Sequence, residues 1–302
     1  MRVEEGDARP VESVNFHVWQ PCNMRCQFCF ARFQDVRDSV LPRGHLSRGD
    51  ALRVVGLLAE AGFQKITFAG GEPLLCPWLD ELIALAKLGG MTTSVVTNGS
   101  LLTPDRLWSL RAVLDWLVLS IDSARPTILS MTGRTAGRHV PTPQHYLSLC
   151  EQVHDQGMYL KVNTVVHRAN WLEDMSELIA AARPRRWKLM QVLEIGGQNS
   201  DGVGPLLISD AQFDTFVQRH MRLASRGIAV VPERNADMIG SYAMVDPAGR
   251  FFDNTRGWYV YSDPIVTVGV RAAMSQVTVI REKYLSRGGQ YDWTGQQSVA
   301  AG

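Results

Sequence analysis

No apolar run in this 302-residue chain approaches the roughly 18 residues needed to cross a bilayer. The first ten residues are too polar for a secretory signal or an amphipathic anchor, so a cytoplasmic protein without membrane attachment is expected. An excess of one charge sign is also missing: 31 Lys and Arg face 30 Asp and Glu, leaving no global field to hold a nucleic-acid backbone. Cysteine is scarce and odd in number. Five residues, three of them packed between positions 22 and 29, do not make the even framework of a small secreted disulfide scaffold. No histidine pair has HxH or HxxxH spacing, and His17, His45, His139 and His220 read as structural or surface residues.

What remains is the composition of a soluble globular protein, 45% hydrophobic and 20% charged, able to bury a sizeable core. From Val14 the pattern alternates strand and helix. Strands are expected at Val14–Val18, Lys65–Phe68, Thr92–Val96, Trp116–Ile121, Tyr159–Val166 and Trp187–Leu193. Helices are expected from Ser47 to about Gly62, Trp78 to Leu88, Thr103 to Arg111, Pro143 to Gly157 and Trp171 to Ala182. Six such units imply an α/β fold, a partial (βα)6 barrel of the TIM type with its chemistry at the strand C-termini. The rhythm breaks after Glu194. A loop at Gly196–Gly204, a helix from Ser209 to Arg226, and two short runs separated by Pro247, Ala248 and Gly249 suggest antiparallel material. Three parts are therefore expected: a tail over 1–13, the barrel over 14–195, and an extension over 196–302 capping the active site.

Cys22, Cys26 and Cys29 form a CxxxCxxC pattern directly after the first strand. Thiolates are the usual ligands of iron–sulfur clusters, and three of them leave one iron of a four-iron cluster for another ligand. A structural zinc site completed by His17 is the alternative, but such sites draw on a second Cys or Cys/His pair that this chain lacks. Cys76 and Cys150 read as small buried apolar residues, and no cysteine follows Cys150 to carry an auxiliary cluster. Lys161 begins a predicted strand and Lys188 interrupts an apolar one, where a charge is rarely buried without a partner; snorkelling to the surface is the competing reading. Asn163 shares the strand face of Lys161.

The cysteine spacing followed by Gly70-Gly71-Glu72-Pro73 resembles the radical S-adenosylmethionine (SAM) superfamily. Within it, the residues Cys26 to Phe30, Phe68 to Pro73, Thr97 to Ser100, Leu119 to Ser123, Gly133 and Arg134, Lys161 to Asn163, Arg186 to Lys188, Ser241 and Tyr242, and Arg287 to Gly289 resemble the viperin-like enzymes, over nearly the whole chain from about Val14 to Trp293. The resemblance implies a [4Fe-4S] cluster on Cys22, Cys26 and Cys29, with SAM held by Phe28, Gly70, Gly71, Glu72, Asn98, Ser120 and Arg134. For Asn98 and Ser120 ordinary strand-end capping is the bland alternative; for Arg134 the planar guanidinium suits a carboxylate. It implies further that Lys161, Asn163, Arg186, Lys188 and Arg287 bind the triphosphate of a nucleotide. Tyr242 is implied as proton donor, although a lone Tyr in an apolar run is more often core.

The activity so implied is conversion of a nucleoside triphosphate (CTP, UTP or GTP, with a lean to a pyrimidine) into its 3′-deoxy-3′,4′-didehydro analogue, an antiviral chain terminator. A 5′-deoxyadenosyl radical takes hydrogen from ribose C4′, and one electron and one proton, the proton leaving with the C3′ hydroxyl as water, complete the product. A flavodoxin- or ferredoxin-type donor and a monomeric enzyme are expected. The segment Phe30 to Asp35 resembles the prokaryotic branch. Two other readings stay open: a radical SAM enzyme acting on another nucleotide or a peptide, and a non-catalytic, zinc-stabilised scaffold.

Overall fold

The computed structural model describes residues 11–294; most of the expected tail and the last eight residues lie outside them. Six parallel strands carry the core: β1 (Ser13–Trp19), β2 (Lys65–Gly70), β3 (Thr92–Thr97), β4 (Trp116–Ser120), β5 (Tyr159–Val166) and β6 (Arg186–Gln191). Strand β5 shows how sequence makes two faces. Leu160, Val162 and Val166 pack into the main core, while Lys161, Asn163 and Val165 between them point into a central cavity. One period-two alternation thus builds both the hydrophobic layer and a polar interior.

The helices start where their caps predict. Ser47, Thr103, Thr142 and Ser209 each accept a hydrogen bond from the backbone N–H three residues on, and Pro104 and Pro143 occupy first helical positions. Two helices differ from expectation. The helix anticipated from Trp171 begins only at Ser176, because Glu173 is turned away to accept from the Ser123 hydroxyl and the Ala124 N–H. The helix anticipated through Arg226 ends at His220; Met221–Arg226 continues as a 3-10 helix that stops on the left-handed Gly227.

Residues after 195, expected to form a cap, also lengthen the sheet at both ends. Strand β7 (Ala229–Glu233) runs parallel to β6, and β8 (Ala243–Val245) lies parallel to β1. Strands β9 (Arg250–Asp253) and β10 (Val260–Pro264) follow in antiparallel fashion, giving the order β10-β9-β8-β1-β2-β3-β4-β5-β6-β7. Strand β7 escapes sequence detection because Pro232 lies within it; an edge strand tolerates the missing N–H. The turn at Pro247–Gly249 separates two strands as expected, held by the Arg250–Asp246 ion pair. Among the described residues no helix is long and apolar enough to cross a membrane.

Leu117, the fully buried second residue of β4, is a direct probe of this core. Leu117→Ala is expected to cost about 2–5 kcal/mol, read as a lower urea midpoint with an unchanged slope.

Candidate active site

The cysteine loop leaves β1 at the C-terminal end of the sheet and is fixed by backbone contacts. Gly71 N–H donates to the Trp19 carbonyl at 2.6 Å and Glu72 N–H to that of Pro21 at 3.1 Å. A Cβ on Gly71 would run into the carbonyl oxygens of Gln20 and Pro21, so only glycine permits this approach. Gly133, at φ +77°, plays the same part on the other side: Arg25 N–H donates to its carbonyl, and a Cβ there would meet the Arg25 oxygen. The extension completes the frame. Asn199 donates to the Phe28 carbonyl at 3.2 Å, and the Tyr259 hydroxyl donates to that of Phe30 at 2.7 Å. These two residues carried no signal in sequence.

Cys22, Cys26 and Cys29 face one cavity of about 770 Å³, within the range of pockets that enclose small organic ligands. Phe28, Gly70, Gly71, Asn98, Ser120 and Arg134 line it as well. Glu72 does not. Its buried carboxylate accepts from Leu74 N–H, Thr97 hydroxyl and Asn98 N–H, so it locks the end of β2 to the end of β3. Arg134 donates through Nε at 2.6 Å to Asp122, itself fully buried, and lies 5.6 Å from the Phe28 ring. Two of its nitrogens are committed to Asp122; the remainder of its fork is available to another carboxylate. Asn98 accepts from Ser100 and donates to Asn23, which steadies the loop after β3.

The same cavity runs down the barrel to the opposite, N-terminal ends of the strands. Lys161, Asn163, Lys188 and Tyr242 line this floor, joined by Lys65, a residue not singled out from sequence. A recess of about 50 Å³ opens from it between Arg186, Arg287, Gly288 and Tyr291. The expectation that the motifs fall at strand C-termini therefore holds for the cysteine end only: Lys65 and Arg186 are the first residues of β2 and β6. In-register pairing sets Lys161 beside Arg186 and Asn163 beside Lys188 on the inner face. Snorkelling does not occur at Lys188, which is buried, while Lys161 is half-buried and faces the cavity.

Electrostatics distinguish the floor from an ordinary core. Among the described residues the main cavity is lined by seven Lys and Arg and a single carboxylate, Asp122. Burial, reinforced by neighbouring cations, lowers Lys65 to about 7 and Lys161 well below the usual lysine range. Burial lowers Lys188 to about 8, although Glu233 at 2.6 Å partly offsets it. Two buried polar atoms in this region, Asn163 Oδ1 and Arg186 Nε, have no hydrogen-bond partner among the described residues.

The family model for the radical SAM superfamily matches residues 18–182. An S-adenosylmethionine-dependent nucleotide dehydratase from Flammeovirga pacifica is 48% identical over 94% of this chain and 96% of that protein. A protein of the same name from Lacinutrix mariniflava is also 48% identical over 94% of this chain, which spans 59% of its length. The chain belongs to the radical SAM superfamily, among the S-adenosylmethionine-dependent nucleotide dehydratases. Its fold is similar to that of Streptococcus suis SuiB bound to S-adenosylmethionine, with a TM-score of 0.60 and 15% identity over 80% of this chain and 59% of that one.

Radical SAM proteins use a [4Fe-4S] cluster and SAM, and the donor set here fits them. Burial raises the Cys22 thiol to about 11 and the Cys26 thiol to about 12, and pushes Cys29 up also. A strongly cationic inorganic centre is what holds such thiols as thiolates. Among the described residues no group of three His, Cys, Asp or Glu side chains is gathered to hold a single metal ion, and His17, lowered to about 4 by burial, packs against Phe33 and Phe252. The relatives are named dehydratases, which does not match the zinc scaffold.

Because Gly71 tolerates no side chain, Gly71→Ala is expected to displace the cysteine loop. Iron bound per chain after anaerobic reconstitution should fall to less than about half that of wild type. Unchanged iron loading would contradict the role given to this contact.

Proposed function

We propose that this radical SAM protein dehydrates a nucleoside triphosphate to its 3′-deoxy-3′,4′-didehydro analogue. The observation that carries this reading is the cationic floor. Lys65, Lys161, Arg186, Lys188 and Arg287 converge there, and among the described residues one carboxylate, Glu233, meets them. Fully protonated, they leave a surplus of four positive charges, which matches the about four negative charges of a nucleoside triphosphate near neutral pH. A peptide offers no such density of anion.

In this reading Cys22, Cys26 and Cys29 would hold the cluster, and Phe28, Gly70, Gly71, Asn98, Ser120 and Arg134 would surround SAM. When bound, that pair supplies one-electron chemistry and a carbon radical that can take hydrogen from ribose C4′. The chain's own residues bind, orient and move protons. Lys161, Arg186, Lys188 and Arg287 fix the phosphates, with Asn163 accepting or donating beside them. That anchorage sets the ribose along the barrel axis between floor and cysteine loop. Tyr242, kept a phenol by burial well above the usual tyrosine range, donates the proton that departs with the 3′-hydroxyl. An external flavodoxin- or ferredoxin-type protein supplies electrons, and a reducing cytoplasm suits the free thiols.

Anaerobic turnover with CTP, UTP, GTP and ATP in turn, read by mass spectrometry, tests the reading. One nucleotide should yield a product lighter by one water together with 5′-deoxyadenosine, and Lys161→Ala should weaken its binding roughly 10- to 100-fold. Nucleotide-independent 5′-deoxyadenosine formation with all four would overturn it.

The lowered lysines add a pH test. Near pH 8, Lys65 (about 7) and Lys188 (about 8) are largely or partly neutral in the protein alone. A bound polyanion favours their charged forms and raises both values, so binding takes up protons and affinity falls as pH climbs from about 7 to about 9. Calorimetry in two buffers of different ionisation enthalpy should register that uptake.

A further inference from the structure

Behind the floor lies Glu233, the last residue of β7, with no exposed surface. Its Oε1 meets Lys188 Nζ at 2.6 Å and Arg287 Nη1 at 3.2 Å, and its Oε2 accepts from the Tyr242 hydroxyl. Lys188 also donates to the Tyr242 oxygen at 2.9 Å. The Arg287 guanidinium lies 3.6 Å from the centre of the Tyr242 ring and donates twice to the Ser241 carbonyl, at 2.9 and 3.3 Å. Strands β7 and β8 are not neighbours in the sheet. The carboxylate therefore ties β6, β7, the residue leading into β8, and the segment after the Arg281–Ser286 helix at a single point.

For anion binding alone this is the wrong group. A buried carboxylate beside Lys188 and Arg287 cancels part of the field that a phosphate chain would meet, where a neutral amide would not. Its contacts instead serve alignment. A phenol hydroxyl ordinarily turns freely, but here an acceptor and a donor on either side fix its oxygen, and cations flank the ring. Burial would raise the carboxyl, yet Lys188 and Arg287 overturn that and hold Glu233 down at about 2, so it remains a charged acceptor.

We propose that Glu233 is a positioning residue for proton delivery: it fixes the Tyr242 oxygen next to the Lys188 ammonium, and it weakens nucleotide binding as a consequence. The inference rests on the dehydratase reading above. As the ribose C3′–O bond breaks with its electron pair on oxygen, the Tyr242 O–H rotates from Glu233 towards that oxygen and gives it a proton. Water leaves, the phenolate takes a proton from Lys188, and solvent restores the ammonium. The electron that completes the product comes from the external donor.

The test measures nucleotide affinity and kcat separately on the full-length, reconstituted protein, using the triphosphate that the wild type turns over. Glu233→Gln removes the charge and keeps the size. It should bind the triphosphate about tenfold more tightly while kcat drops about tenfold or more. Glu233→Asp keeps the charge but withdraws it from Tyr242; its affinity should stay within about threefold of wild type while kcat still falls. A residue with only a scaffold role would lose affinity and kcat together in both variants, and that result, or unchanged kcat in both, overturns the proposal. Should Glu233→Gln fail to fold, the aspartate variant decides by the same split. Wild-type protein that binds no nucleoside triphosphate would overturn the dehydratase reading and this proposal with it, whereas wild-type binding that Glu233→Gln weakens overturns the proposal alone.

Discussion

Mutual repulsion among buried cations is the constraint around which this molecule is arranged. Lys65, Lys161, Arg186, Lys188 and Arg287 meet at one end of the barrel, with Glu233 as their carboxylate partner among the described residues. The remaining cations are accommodated by other means. Lys65 sits 4.4 Å from the centre of the Tyr291 ring and 5.5 Å from those of Trp116 and Trp293, and donates to the Tyr291 hydroxyl. Arg186 stacks over Tyr291 at 4.2 Å and donates to the Gly288 carbonyl. Lys161 has no such partner among the described residues, and burial with the neighbouring cations lowers it well below the usual lysine range. The same two causes together lower Lys65 and Lys188 below that range.

The sheet makes that charge useful by giving it a fixed relation to the cysteine loop. A six-residue strand spans about 20 Å, a length that suits an extended nucleotide lying along the barrel with its phosphates on the floor. At the other end the loop is held by backbone approach at Gly71 and Gly133 and by Asn199 and Tyr259 from the extension. The extension therefore acts on both ends at once, through Asn199 and Tyr259 above, and Glu233, Tyr242 and Arg287 below.

Much of this was legible in sequence, for physical reasons. Strand–helix alternation with Ser and Thr caps placed the six core strands, and the three-cysteine spacing with Gly70 and Gly71 located the upper site. Lys188 stood out because a charge inside an apolar strand demands an explanation, and Lys161 because it begins a strand whose face Asn163 shares. Lys65 carries the same signal but opens its strand, where a lysine looks like an ordinary boundary residue. Glu233 follows Pro232 in a segment that reads as loop, and its partners lie 45 and 54 positions away. Glu72 falls in sequence among the SAM contacts and, with Pro73, among the residues that shape the turn; its carboxylate is taken up by Leu74, Thr97 and Asn98 donors, which fits the second role.

The central claim is that the buried cations await a chain of phosphates. Inorganic tripolyphosphate, which offers neither sugar nor base, isolates it: added to the wild-type protein at low salt, it should raise the melting temperature by several degrees, with a smaller rise for Lys161→Ala and none for a neutral nucleoside. A melting temperature indifferent to tripolyphosphate, or raised equally in the variant, would contradict the account.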